Sequence, residues 1–249
     1  MQAFVFSHPG FRYQENQDSF LVLTQENYSL LAVADGLGGH DNGDLASRQA
    51  VECLQEIFQP ESNFTQQTIY HLLTEVNRKV YALQESGERK PATTLSLVWL
   101  QDQEFLVGHV GDSRVYWWQE GKLTLLTQDQ TVLNQWVSQG RWVPKRYYQK
   151  FGHILARTLG GHKEFDREFM EQDVFSYVLG PFRLEQEGIL LLATDGLIKH
   201  LTEKELENLL TENCPQQEEK IAEILLERAL AGGGEDNITI IVKKFEGGK

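Results

Sequence analysis

Cysteine is scarce: only Cys53 and Cys214 occur in 249 residues, far apart. That count excludes a disulfide framework and fits a reducing compartment, or one indifferent to redox state. Long apolar runs are missing as well. A membrane helix needs about 18–20 apolar residues, and the most apolar stretch, 188–198, is interrupted by Thr194 and Asp195. The opening MQAFVFSHPG has neither a basic start nor a long apolar segment, so it does not read as a secretory signal. A soluble cytoplasmic protein with no membrane partner is the expectation. Positive charge is in deficit: 23 Lys and Arg stand against 36 Asp and Glu, a formal net charge of −13. That balance disfavours nucleic acid as a partner. Prolines are few and scattered, and no repeat, low-complexity tract or linker divides the chain. One domain over 1–249, monomeric, is expected.

What is present is an ordinary globular composition, 41% hydrophobic, sufficient for a sizeable core. The apolar run 28–34 reads as a buried strand that enters a glycine-rich loop, 36–40. Helical periodicity follows over 44–58 and 65–84. From 93 to 127 the pattern changes to β-branched and aromatic runs, 93–100, 104–110, 114–118 and 122–126, split by turn residues. These predict an antiparallel meander. A short helix is expected over 131–138. Residues 140–152 then gather Arg141, Trp142, Lys145, Arg146, Tyr147, Tyr148 and Lys150, a basic and aromatic cluster in an acidic chain. A second buried strand, 188–193, helices over 203–210 and 218–230, and a last strand over 237–242 complete the order. Strands and helix pairs in this sequence predict a layered α+β domain rather than a βαβ alternation.

Five aspartates share suggestive settings. Asp35 and Asp195 each end a buried strand and precede a glycine, in LAVADG and LLATDG. Asp236 precedes the last strand, Asp112 sits in a Gly-Asp-Ser turn, and Asp18 lies just before an apolar run. Rigid strand ends are good platforms for a site, and a glycine after the acid lets another backbone or an ion come close. Converging carboxylates repel one another unless a cation sits among them. Oxygen-only ligands select hard ions such as Mg²⁺ or Mn²⁺, and no Cys/His spacing suggests zinc. Each Asp-Gly taken singly is equally a turn signal.

The motifs NQDSF, VADGLGGH, TTLSLV, GHVGDSRVY, LARTLGG, LLLATDGL and GGEDNITIIV follow in that order from residue 16 to 242. The chain resembles bacterial-type members of the protein phosphatase 2C family, the metal-dependent serine/threonine phosphatases, over nearly its whole length. The resemblance implies a four-layer α-β-β-α sandwich of two antiparallel sheets flanked by helix pairs. It implies hydrolysis of phosphoserine and phosphothreonine in proteins by water activated between two Mn²⁺ or Mg²⁺ ions. Asp35 would bridge both ions, Gly36 would lend a carbonyl to one, and Asp195 and Asp236 would hold the other. Asp112 with Asp195 would hold a weaker third. Asp18 would orient metal-bound water, and Asn237 matches the family's Asp-Asn pair, near substrate. Phosphorylated proteins, such as those of a serine/threonine kinase, are the implied partners.

The chain departs from the family in places. Its phosphate-docking arginine falls on Tyr13, with Arg12 one residue earlier, either serving that role or merely solvated. The place of a proposed general acid is Leu37. His40 nearby either donates a proton or contacts substrate, or else holds its loop by hydrogen bonds, the preferred reading. The family's Asp-His after the meander is Asp129-Gln130 here. Residues 140–152 fall at the family's flap, and either recognise acidic phosphopeptides or pack as a solvated loop. Cys53 and Cys214 read as non-catalytic. A pseudophosphatase that only binds phosphoproteins is the alternative, weakened because Asp35, Asp112, Asp195 and Asp236 are all kept. A nucleotide-binding loop at 36–39 fails for want of a following Gly-Lys-Ser/Thr, and a nuclease is opposed by the net charge.

Overall fold

The structure, a computed structural model, describes residues 2–37, 42–83, 91–161, 165 and 167–245. In chain order the elements are β1 (Phe4–His8), β2 (Asp18–Thr24), β3 (Tyr28–Leu37), α1 (Gly43–Ile57), α2 (Gln66–Ala82), β4 (Ala92–Thr93), β5 (Leu95–Gln101) and β6 (Glu104–Val110). There follow β7 (Arg114–Gln119), β8 (Lys122–Leu125), α3 (Val132–Ser138), α4 (Lys145–Phe151), α5 (Arg167–Gln172), β9 (Val178–Arg183) and β10 (Gly188–Ala193). The chain continues through α6 (Asp195–Ile198), α7 (Glu203–Asn213), α8 (Glu218–Ala231) and β11 (Ile238–Phe245).

Two antiparallel sheets result, ordered β1-β11-β10-β7-β8 and β2-β3-β5-β6-β9, with β4 paired to β3. Strands buried on both faces explain the continuous apolar runs. In β3, Leu30, Ala32 and Ala34 face α1 and α2, while Leu31 and Val33 face the other sheet. In β10, Ile189, Leu191 and Ala193 face α7 and α8, while Leu190 and Leu192 point inward. Alternate side chains of one strand therefore serve two different cores. Three clusters stack in this way: helices on a sheet, sheet on sheet, and sheet on helices. The expected α-β-β-α sandwich is what forms, each buried Leu or Ile adding about 1.5–3 kcal/mol.

The expected meander does not form as one sheet. β5 pairs with β6 and β7 with β8, but β6 and β7 belong to opposite sheets. β5 and β6 are buried on both faces, cover that a single half-exposed meander cannot supply. The Gly111-Asp112-Ser113 turn is the crossing, with Gly111 at φ +109°, a region that favours glycine. β3 also runs three residues beyond the expected strand, because Gly36 and Leu37 pair with Thr93 and Ala92. β1, β2, β9, α4, α5 and α6 were not legible as elements, α4 forming inside the stretch expected as a loop. β1 and β9 complete the sheets by long-range pairing to β11 and β6.

Candidate active site

Antiparallel pairing brings the end of one strand beside the start of the next. In one sheet Asp18, at the start of β2, lies directly opposite Asp35 near the end of β3. Asp35 shares parity with Leu31 and Val33, so it faces the space between the sheets. In the other sheet Ala193 pairs with Ile240, so Asp195 just after β10 and Asp236 just before β11 emerge at one edge. The two edges border one cleft of about 750 Å³. Arg12, Asp35, Gly36, Asp195, Asp236 and Asn237 line it, as do Lys199 and His153. Asp18 and Asp112 stand behind that lining. His40 lies outside the described residues.

The backbone is tightly seated at both Asp-Gly steps. A Cβ on Gly36 would lie 2.1 Å from the Gly43 carbonyl oxygen, and one on Gly196 would lie 2.0 Å from that of Asn237. Neither position admits a side chain, which is the close backbone approach expected of them. Thr93 and Thr94 fix Asp35. The Asp35 N–H donates to Thr94 Oγ1 at 2.9 Å, and Thr93 Oγ1 donates to the Asp35 carbonyl at 2.9 Å. Thr194 fixes Asp18, donating from Oγ1 to Asp18 Oδ2 at 2.8 Å and accepting from the Thr239 N–H at 2.9 Å. Asp129 and Gln130 fix the Asp112 turn. Asp129 takes a two-pronged pair from Arg114 at 2.8 and 2.7 Å, and Gln130 Oε1 accepts from the Gly111 N–H at 3.0 Å.

Asn237 lines the cleft, but its amide is committed elsewhere. Oδ1 accepts from the Gln17 N–H at 2.9 Å, and Nδ2 donates to the carbonyls of Pro9 at 2.9 Å and Glu15 at 3.3 Å. Those bonds tie the amide to the loop that carries Arg12. The reason is long-range: the loop after β1 must seat against the start of β11.

The electrostatics follow from crowding. Burial pushes Asp18 up to about 7, against hydrogen bonds from Thr239 and Thr194, with Asp195 and Asp236 adding to the rise. Burial also pushes Asp112 to about 7, with the charges of Asp195 and Asp129 adding. Asp35 keeps one side open to the cleft yet is otherwise ringed by protein. Burial, then the fields of Asp18, Asp195, Asp112 and Asp236, raise it well above the usual carboxylate range. Asp195 is raised by burial while Lys199 opposes the rise. Lys199 Nζ lies 2.6 Å from Asp195 Oδ2 and 2.5 Å from Asp236 Oδ2. Burial alone would lower that ammonium, and the two carboxylates more than reverse the effect.

The donor set fits a hard divalent cation. It is oxygen-only, and Asp18 Oδ1 and Asp195 Oδ1 are buried without a hydrogen-bond partner, a costly state that a cation relieves. Among the described residues no three His, Cys, Asp or Glu side chains are grouped so as to hold an ion by themselves. A cation here would complete its shell with main-chain oxygen and water, as Mg²⁺ commonly does.

Sequence reasoning did not single out Thr194 or Lys199. Thr194 directly precedes Asp195, and Lys199 follows it by four residues, the spacing at which helical side chains meet. His153, directly after the flap, lines the cleft. Trp136 of α3 packs with Tyr147 and Phe151 of the flap, with centroids 5.1–6.5 Å apart, while Trp142 is 86% exposed. Cys53 and Cys214 are free and outside the cleft lining.

The sequence profile of the family described as Protein phosphatase 2C matches residues 12–231. The serine/threonine phosphatase Stp of Listeria welshimeri is 30% identical over 240 residues, covering 93% of this chain and 90% of that protein. The protein phosphatase PhpP of Streptococcus pneumoniae is 27% identical over 249 residues, covering 96% of each. A bacterial serine phosphatase structure superposes with a TM-score of 0.84 at 25% identity, covering 100% of this chain and 99% of that one. The catalytic domain of the phosphatase PstP in complex with two manganese ions gives a TM-score of 0.78 at 26% identity, with 98% of each chain covered. Among the described residues no helix is long and apolar enough to cross a membrane.

Proposed function

The chain belongs to the protein phosphatase 2C family and is a protein serine/threonine phosphatase, and from that premise we propose that it works with two divalent cations, Mn²⁺ or Mg²⁺, held in the aspartate cleft. The observation that carries this reading is the meeting of Asp35, Asp195 and Asp236 on one cleft, backed by Asp18, with two buried carboxylate oxygens unpartnered. When bound, such a pair of cations supplies an acidified water as nucleophile and offsets charge on the phosphoryl oxygens. Asp35, which faces between the sheets, would serve both cations. Gly36 lends its carbonyl on one side, and Asp195 and Asp236 serve the other. Asp112 with Asp195 offers the weaker third site.

Asp18, held by Thr194, would orient water at the cations. Arg12 at the cleft wall docks the substrate phosphate, a task its planar fork suits. No serine or cysteine nucleophile is required. The flap lies in a stretch, 130–163, without a single Asp or Glu, and favours phosphopeptides with acidic neighbours. The sandwich and its flap act together as a single catalytic domain, 1–249, monomeric and cytoplasmic, on proteins phosphorylated by a serine/threonine kinase.

Hydrolysis of p-nitrophenyl phosphate and of a phosphothreonine peptide tests the proposal. Turnover on both should vanish in EDTA and return with Mn²⁺ or Mg²⁺. Folded protein with no turnover under either metal, or turnover indifferent to EDTA, would overturn it.

A further inference from the structure

Lys199 stands in direct contact with two of the aspartates assigned to the cations. It caps the short helix α6 and reaches back one turn to Asp195, and across to Asp236. Both Asp236 oxygens already accept a hydrogen bond, Oδ2 from Lys199 and Oδ1 from the Asn237 N–H at 2.9 Å. Asp195 keeps only the buried Oδ1 open. The ammonium therefore sits where a second ligand oxygen would have to meet an ion.

We infer that Lys199 is a tethered counter-ion that competes with the divalent cation for Asp195 and Asp236, and that loading the site requires its ammonium to leave. A single positive charge relieves the repulsion between two carboxylates in the metal-free chain. A divalent ion relieves it more strongly, but two such positive centres cannot share the same oxygens at contact distance. The lysine can move aside, because its side chain is 41% exposed and its stem is long and flexible. Its field reaches further, easing Asp112 as well, so its departure bears on the third site too. Two consequences follow. Metal affinity is weaker than the carboxylates alone would provide, and the metal-free fold is steadier than a bare acidic cluster would allow.

This inference rests on the dimetal reading, and the test separates the two. Mn²⁺ binding would be measured by titration calorimetry, and melting in EDTA by scanning calorimetry, for wild type, Lys199→Gln and Lys199→Arg. Lys199→Gln should bind Mn²⁺ about tenfold more tightly and melt lower in EDTA, while Lys199→Arg stays near wild type in both. Equal Mn²⁺ affinity in all three forms would overturn this inference alone. No Mn²⁺ binding by any form would overturn both readings. Should Lys199→Gln not fold, the Lys199 ε-methylene resonance of the wild type decides: it should move on Mg²⁺ addition, and an unmoved signal overturns the inference.

Discussion

LAVADG and LLATDG are close copies, one in each sheet, and the protein treats their aspartates differently. In both, the glycine is pressed against a crossing backbone. In both, the preceding residues alternate between an outer and an inner core. After that they part. Asp35 stays within a strand, opposite Asp18, with four acidic neighbours raising its pKa. Asp195 opens a helix turn, and Lys199, four residues further on, returns a positive charge to it. One acid is compensated by the chain and the other is not. A motif thus fixes where a carboxylate stands, while its electrostatic state depends on what the next few residues and the facing strand supply.

The comparison can be broken most directly by neutralising each acid. Asp35→Asn and Asp195→Asn should each lower turnover of p-nitrophenyl phosphate by about 10²–10³-fold or more. Their metal-free melting temperatures should move oppositely. Asp35→Asn removes an uncompensated charge and should melt higher by about 2–4 °C, while Asp195→Asn strands Lys199 and should melt lower by about as much. Shifts of the same sign would break the distinction.

A pH series sharpens it. Asp18 and Asp112 titrate near 7 in the folded chain, against 3.8 as ordinary carboxyls. Between those values the folded state holds more protons than the unfolded one, so their contribution to stability is full below about 4 and is lost as pH rises to about 7. Melts in EDTA should show that fall, and Asp18→Asn should flatten it. A slope identical in wild type and Asp18→Asn would contradict the burial argument. The smallest effect concerns the cleft wall: Arg12→Ala should raise KM for a phosphopeptide about threefold to tenfold with kcat little changed. An unaltered KM would leave Arg12 as a solvated surface residue.

Much of this was readable along the chain, because side-chain alternation and helical periodicity are local properties. The runs ending at Asp35 and Asp195 announced strands, and Gly36 and Gly196 announced a close approach. Asp112 was noticed as a turn acid, but not as the corner between sheets. A turn within one meander and a turn between two sheets can share the same residues, and only burial of both strand faces separates them. Asn237 shows the same limit. Its amide satisfies main-chain groups of Gln17, Pro9 and Glu15, more than two hundred residues away in sequence and invisible to any local pattern.

By itself, then, the sequence determined the central strands, the helix pairs, the acidic residues at strand ends and the family they spell, since each depends on near neighbours. Tertiary structure decided which acids face one another, as Asp18 does Asp35, and which cation answers them, as Lys199 does Asp236. Register and sheet-on-sheet packing settle those pairings, and both are set by burying two faces at once.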